Sequence, residues 1–290
     1  MFSRRDLLAG AAALILPPAL AVSSAFAGWR ELDLAALEAT HGGRIGVCAM
    51  SEGGIVKWRA GERFPYCSTF KLFLAASVME RVQDGLEKLD RAVPIAESDM
   101  VPHAPVTGPA VGSSLTIMQL LKATVEVSDN PAANILFREM GGLEVFQKWY
   151  RSIGDRITRV DRNEVALNSA LPGDHRDTTT PQQCVANLHS VLRRSLLSAG
   201  HLEMLEKWLT ETPTGTLRIK AAVPANYKVG HKTGTGAQNT RNDIGIIWPP
   251  RGAPILIAVF FTGARNAAPE ELDAIVAGSA RAALQELGHG

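Results

Sequence analysis

The chain has 290 residues, 46% of them apolar, enough for one large domain or two intimate ones. Its 30 basic and 29 acidic side chains nearly cancel, so no strong field argues for nucleic acid or a charged lipid surface as a partner. The three cysteines, Cys48, Cys67 and Cys184, leave at least one free thiol and have no metal-knuckle spacing, and the histidines form no zinc motif, so neither a metal nor another cofactor is expected.

Residues 1–27 read as an export signal. Arg4 and Arg5 precede an apolar run from Leu7 to Val22, and Ala25-Phe26-Ala27 is a small-x-small cleavage site. Ser3-Arg4-Arg5-Asp6-Leu7-Leu8 looks like a twin-arginine signal. Pro17 and Pro18 break the run, which is short for a membrane span. Cleavage near Ala27 and release of a soluble periplasmic monomer without a stable membrane anchor are expected.

Next, Trp29 to Thr40 reads as a helix with Leu32, Ala35, Ala36 and Ala39 on one side, ended by Gly42-Gly43. Arg44–Met50 alternates as a strand, with Ile45, Val47 and Ala49 pointing one way. Gly53-Gly54 turns it into a second strand over Ile55–Arg59. Cys67 to Met79 then reads as a helix apolar on nearly every side, hence buried. Lys71 is the only charge between Arg63 and Glu80, and a buried ammonium needs a partner or a lowered pKa. Ser68, three residues earlier, shares a face with it. A hydroxyl nucleophile, a nearby base and free backbone N–H groups thus meet in one turn. Ser-x-x-Lys also occurs by chance, so its meaning depends on partner motifs downstream.

Helices continue to about Thr210. One lies within Ser113–Val127, begun by a Thr116/Gln119 capping box, and another runs from Pro131 to Met140. Between them Ser128-Asp129-Asn130 serves either as plain capping or to present a hydroxyl and an amide to a cleft. Two more helices are expected, Glu144–Ile153 and Pro181–Leu197, the latter begun by the capping box of Thr180 and Gln183. The loop 159–177 between them has no period, yet is too apolar for disorder. Arg162 and Asp177 could staple its ends, and Glu164 and Asn168, four residues apart, could face one water.

From Tyr227 the chain turns to strands, Tyr227–Thr235, Asp243–Trp248 and Pro254–Phe261, before a final helix Pro269–Leu287. Lys232-Thr233-Gly234-Thr235-Gly236 closes the first strand. Gly234 and Gly236 let a backbone or a ligand come close, beside a cation and two hydroxyls. The expected fold is α+β: an antiparallel sheet from residues 28–60 and 211–290, flanked by N- and C-terminal helices. An all-helical domain, 61–210, is inserted, with the active site between the two.

Taken together, Ser68-x-x-Lys71, Ser128-Asp129-Asn130, Glu164-x-x-Leu167-Asn168 and Lys232-Thr233-Gly234 occur in an order that resembles the class A serine β-lactamases over essentially all of the mature chain. Arg162-Asn163-Glu164 and Asp174-x-Arg176-Asp177 strengthen the resemblance. It implies that Ser68 attacks a small-molecule β-lactam and that the backbone N–H groups of Ser68 and Thr235 form the oxyanion hole. Either Lys71 or Glu164 would be the acylation base, Ser128 the proton relay to the leaving nitrogen, and Glu164 with Asn168 the holders of the deacylating water. Asn130 would hold the substrate amide, and Lys232, Thr233, Gly234 and Thr235 the substrate carboxylate, with help from Arg218 or Arg241. His103 would stand where an aromatic wall is common. Thr235 implies useful cephalosporin turnover. Cys67 matches a cysteine that is disulfide-bonded in family carbapenemases, but the partner position is Gly236, which implies poor carbapenem turnover. Val165 replaces a frequent proline, and His231 a frequent aspartate. The rival readings are a penicillin-binding peptidase or a β-lactam sensor, both of which acylate without efficient turnover and lack the glutamate loop.

Overall fold

The computed structural model describes residues 28–265 and 267–289; the expected export signal lies outside them. The chain begins with β1 (Trp29–Glu31), α1 (Ala35–His41), β2 (Arg44–Ser51) and β3 (Gly54–Trp58). β4 (Phe64–Pro65) leads through a 3-10 turn, Cys67–Thr69, into α2 (Phe70–Gln83). Then come β5 (Ala92–Pro94), β6 (Ser114–Thr116), α3 (Ile117–Glu126), α4 (Asn130–Met140) and α5 (Leu143–Ser152). Beyond the long loop lie β7 (Thr178–Thr179), α6 (Pro181–Arg193), α7 (Ala199–Glu211) and the one-turn α8 (Ile219–Ala222). β8 (Lys228–Gly236), β9 (Thr240–Trp248), β10 (Ile255–Thr262) and α9 (Pro269–Glu286) complete the fold.

The two ends of the chain meet in one sheet of order β1-β3-β2-β10-β9-β8. β10 pairs antiparallel with β2, setting Val259 opposite Val47 and Phe261 opposite Ile45. Ile45, Val47 and Ala49 join Ile257, Val259 and Phe261 in a core beneath α9. The opposite face, with Cys48, Leu256, Ala258 and Phe260, joins the helical core of α2 to α7. Both faces are covered, so β10 is a continuous apolar run rather than an alternating one. β8 is one of the two edge strands, and it lies against the Ser68 turn.

The α+β class is as expected, but several details differ. The sheet is mixed, because β1 pairs parallel with β3 after a crossover through α1 and β2. The helix expected from Trp29 begins only at Ala35, where Asp33 Oδ1 accepts from Ala35 N at 3.0 Å. Its alanines face solvent, while Glu38 is buried, accepting from Ile45 N at 2.8 Å and from Arg59 Nε at 2.9 Å. The stretch 61–210 is not all-helical: β4 pairs with β7 and β5 with β6 in short ladders that tie loops to the helices. Finally, the buried helix starts as a 3-10 turn, and α6 stops at Arg193.

Candidate active site

Ser68 sits in the 3-10 turn that opens α2, where Thr69 N already donates back to Tyr66 O at 3.2 Å. All ten residues from Phe70 to Met79 are buried, which locks the turn in place. Lys71 is fully buried. Its Nζ donates to Ser128 O at 2.8 Å, Asn130 Oδ1 at 2.5 Å and Ser128 Oγ at 3.3 Å, and pairs with Glu164 Oε1 at 3.0 Å. Burial pushes the Lys71 pKa down, and the Glu164 carboxylate opposes that shift. Ser68 Oγ donates to the same Glu164 Oε1 at 3.1 Å. Nucleophile and ammonium therefore converge on one carboxylate oxygen.

Ser128-Asp129-Asn130 divides the two tasks expected of it. Asp129 does the capping, accepting from Ala132 N at 2.9 Å and from Val106 N and Thr107 N. Ser128 adopts a left-handed backbone, φ 59°, unusual for serine, and this turns its carbonyl and hydroxyl toward Lys71. Asn130 gives its Oδ1 to Lys71 and its Nδ2 to Pro102 O at 2.8 Å. His103 is exposed, with Nε2 2.8 Å from Val127 O, and its carbonyl accepts from Asn130 N at 3.0 Å.

The long loop reaches Ser68 because it is fastened at three points. Asp177 is fully buried and accepts from Asp161 N at 2.7 Å, Arg162 N at 3.0 Å and Arg162 Nε at 2.5 Å. Asn134 grips Glu164 itself: Oδ1 accepts from Glu164 N and Nδ2 donates to Glu164 O, both at 2.9 Å. Asn168 Nδ2 donates to Glu164 Oε2 at 2.5 Å, and its buried Oδ1 has no partner among the described residues. A 3-10 turn, Ala166–Ser169, places that amide, and the Glu164–Val165 peptide is cis.

β8 closes the other side. A methyl group on Gly234 would come within 2.8 Å of Tyr66 O, and one on Gly236 within 2.6 Å of Cys67 Sγ and 2.9 Å of Asn168 O. The glycines thus admit the backbone of the Ser68 turn and of the loop. Cys67 is a free, fully buried thiol. Lys232 is fully buried, donates to Thr233 O at 3.1 Å, and has its pKa pushed down to about 7, by burial first and then by the charge of Lys71. Of the two arginines, Arg218 reaches this strand, donating to Thr235 Oγ1 at 3.0 Å and Gly234 O at 3.0 Å. Arg241 turns to Thr240 O and lies 3.6 Å from Asp273.

Three side chains at this site were not singled out from the sequence. Asn134 is one turn after Asn130 on α4, and that i, i+4 amide pair in an apolar helix was the available signal. Thr214 Oγ1 lies 3.1 Å from Thr233 Oγ1. Asn242 Nδ2 donates to Pro65 O at 2.8 Å, holding the approach to Ser68. Both lie in stretches whose composition is ordinary. Among the described residues no acidic, histidine or cysteine cluster could hold a metal ion.

Residues 30–287 match the model of the β-lactamase enzyme family. The chain is 43% identical to the carbapenem-hydrolysing β-lactamase KPC of Klebsiella oxytoca over 257 residues, 88% of this chain and 87% of that protein. It is 38% identical to β-lactamase SME-1 of Serratia marcescens over 285 residues, 95% of this chain and 97% of that one. An ancestral class A β-lactamase of Gram-negative bacteria superposes with a TM-score of 0.85 at 43% identity, covering 87% of this chain and 98% of that structure.

Proposed function

The chain belongs to the class A β-lactamases, and from that membership we propose how its own residues open a β-lactam through an ester on Ser68. The observation that carries the proposal is the convergence of Ser68 Oγ and Lys71 Nζ on Glu164 Oε1, at 3.1 and 3.0 Å. Ser68 attacks the lactam carbonyl and its proton passes to Glu164, the acceptor it already faces. Backbone N–H groups of Ser68 and Thr235 take the developing oxyanion. Ser128 delivers a proton to the leaving nitrogen and draws on Lys71, 3.3 Å away. Asn130 holds Lys71 and the substrate amide. Lys232, Thr233, Gly234 and Thr235 receive the substrate carboxylate, with Arg218 behind Thr235 and His103 on the cleft rim. Glu164 passes the serine proton on to Lys71, 3.0 Å away, replacing the one given to Ser128. As a carboxylate again it accepts, with the unpartnered Asn168 Oδ1, from the water that hydrolyses the ester, and it returns that water's proton to Ser68 Oγ. Hydrolysis of penicillins and cephalosporins in this way confers resistance to those antibiotics.

Among the described residues no helix is long and apolar enough to cross a membrane. We infer export to the periplasm with cleavage near Ala27, a monomeric state, and no cofactor. We also keep the division into a sheet domain, 28–60 with 211–290, and a helical domain, 61–210.

A penicillin-binding peptidase or a sensor would acylate and stop. Glu164 against Ser68 speaks for turnover instead. The test is Glu164→Ala. Lys71, with its lowered pKa, can still accept the Ser68 proton, so the ester forms, but its hydrolysis loses a general base worth about 10²- to 10⁴-fold. Mass spectrometry after mixing with a penicillin should find protein plus intact drug mass, persisting for minutes. Normal turnover by the variant would remove Glu164 from the role.

A further inference from the structure

His231 precedes Lys232 on β8, and it is 1% exposed. Its Nδ1 lies 3.0 and 2.9 Å from the two oxygens of Asp243 on β9. A carboxylate only accepts, so Nδ1 carries the hydrogen. Asp243 Oδ2 also accepts from Ile219 N at 3.1 Å. Ile219 opens α8 and directly follows Arg218, whose guanidinium bonds Thr235 Oγ1, Gly234 O and Asn242 O. The segment just before is pressed onto the same ring. Gly215 has φ 67°, and a methyl group there would come within 2.3 Å of Thr233 Cγ2 and 3.1 Å of His231 Cε1. Thr214 bonds Thr233 beside it. Asp243 is therefore a post between two elements: His231 holds it from β8, and it holds the chain that carries Thr214 and Arg218.

We propose that His231 is a positioning residue for the substrate-carboxylate subsite, acting through Asp243 to fix Arg218 and Thr214 and so to aim the Thr233 and Thr235 hydroxyls. The inference rests on the β-lactamase reading. Only one edge of the ring is needed: Nδ1–H holds Asp243, while the buried Nε2 has no partner among the described residues. Asparagine places an N–H at nearly the same point and lacks the far edge. Leucine fills the space and supplies no donor, which leaves a buried carboxylate half satisfied.

The experiment compares kcat and KM of wild type, His231→Asn and His231→Leu on a penicillin and on its methyl ester, which offers no carboxylate. His231→Leu should raise KM for the free acid about tenfold or more, with a smaller change in kcat, as loss of one charge-assisted anchor predicts. The ester should change by less than about twofold, and His231→Asn should stay within about threefold of wild type on both. Equal losses on acid and ester, or an unchanged KM in the leucine variant, would overturn the proposal. Should the leucine variant not fold, Asp243→Ala carries the same comparison: it removes the acceptor of both Nδ1–H and Ile219 N, and the acid-to-ester ratio should fall likewise or the proposal is wrong. A wild type that does not hydrolyse the free acid overturns the β-lactamase reading itself, which separates that failure from this one.

Discussion

Replacing Asp177 by asparagine removes one charge and changes almost nothing else. The residue sits at φ 53°, a left-handed conformation that asparagine also tolerates, so the backbone has no reason to move. The carbonyl oxygen of asparagine can keep the N–H groups of Asp161 and Arg162, now held at 2.7 and 3.0 Å. Its amide group then faces Arg162 Nε–H, donor to donor. Breaking a buried ion pair from one side costs about 3–5 kcal/mol. Here the arginine side chain is 19% exposed and Asp174 lies 3.7 Å away, so part of its charge is still met. A loss of about 2–3 kcal/mol follows, which for a chain of this size lowers Tm by about 4–12 °C. The assay is thermal unfolding of wild type, Asp177→Asn, Arg162→Ala and the double variant. The coupling between the two sites should exceed about 1 kcal/mol. A Tm within about 1 °C of wild type, or additive single effects, would refute the reasoning that this pair fastens the loop.

Lys232 sets a pH limit. Its charged form binds a carboxylate, and with its pKa pushed down to about 7 that form is lost as pH rises. kcat/KM should fall above about pH 7 through KM, and Lys232→Arg, charged at all accessible pH, should lack this limb; a flat wild-type profile to pH 9 contradicts it. Asn134→Leu should slow deacylation more than acylation, because both of its bonds hold Glu164; stopped-flow rates decide between that and a uniform loss. Good cephalosporin turnover and poor imipenem turnover are expected. Gly236→Cys should bridge to Cys67 under oxidising conditions, which thiol titration would detect, and rapid imipenem hydrolysis by wild type would contradict the expectation.

The sequence revealed the chemistry more fully than the scaffold. Lys71 was legible because a lone charge in an apolar helix must be partnered, and its partners proved to be the Ser128, Asn130 and Glu164 already marked. Arg162 and Asp177 were legible as the polar ends of an aperiodic loop. What could not be read was mostly long-range. The parallel pairing of β1 depends on a crossover that no local pattern records. Ala35, Ala36 and Ala39 looked like the inner side of α1, because nothing nearby announces Arg59 and Ile45 N as the partners that bury Glu38 instead. Asn134 was hidden by resembling an ordinary helix residue. The choice between Arg218 and Arg241 needed the β8–β9 register, which aligns Thr235 with Arg241 while α8 brings in Arg218 from behind.

The fastenings of the long loop are unevenly spread. Arg162, Asp177 and Asn134 fix its two ends and Glu164, and Ala237 N ties Asn168 O at 2.9 Å. From Leu171 to Gly173 the tie found among the described residues is only local, Leu171 O accepting from Asp174 N at 3.1 Å, and these residues face solvent. The loop is therefore a bridge with fixed piers and a free span. Substitutions or added residues in that span can reshape the cavity it walls with Arg44, Arg63 and Gln238 while the carboxylate that does the chemistry stays where it is. A protein built this way can vary that outer wall without renegotiating its catalytic centre.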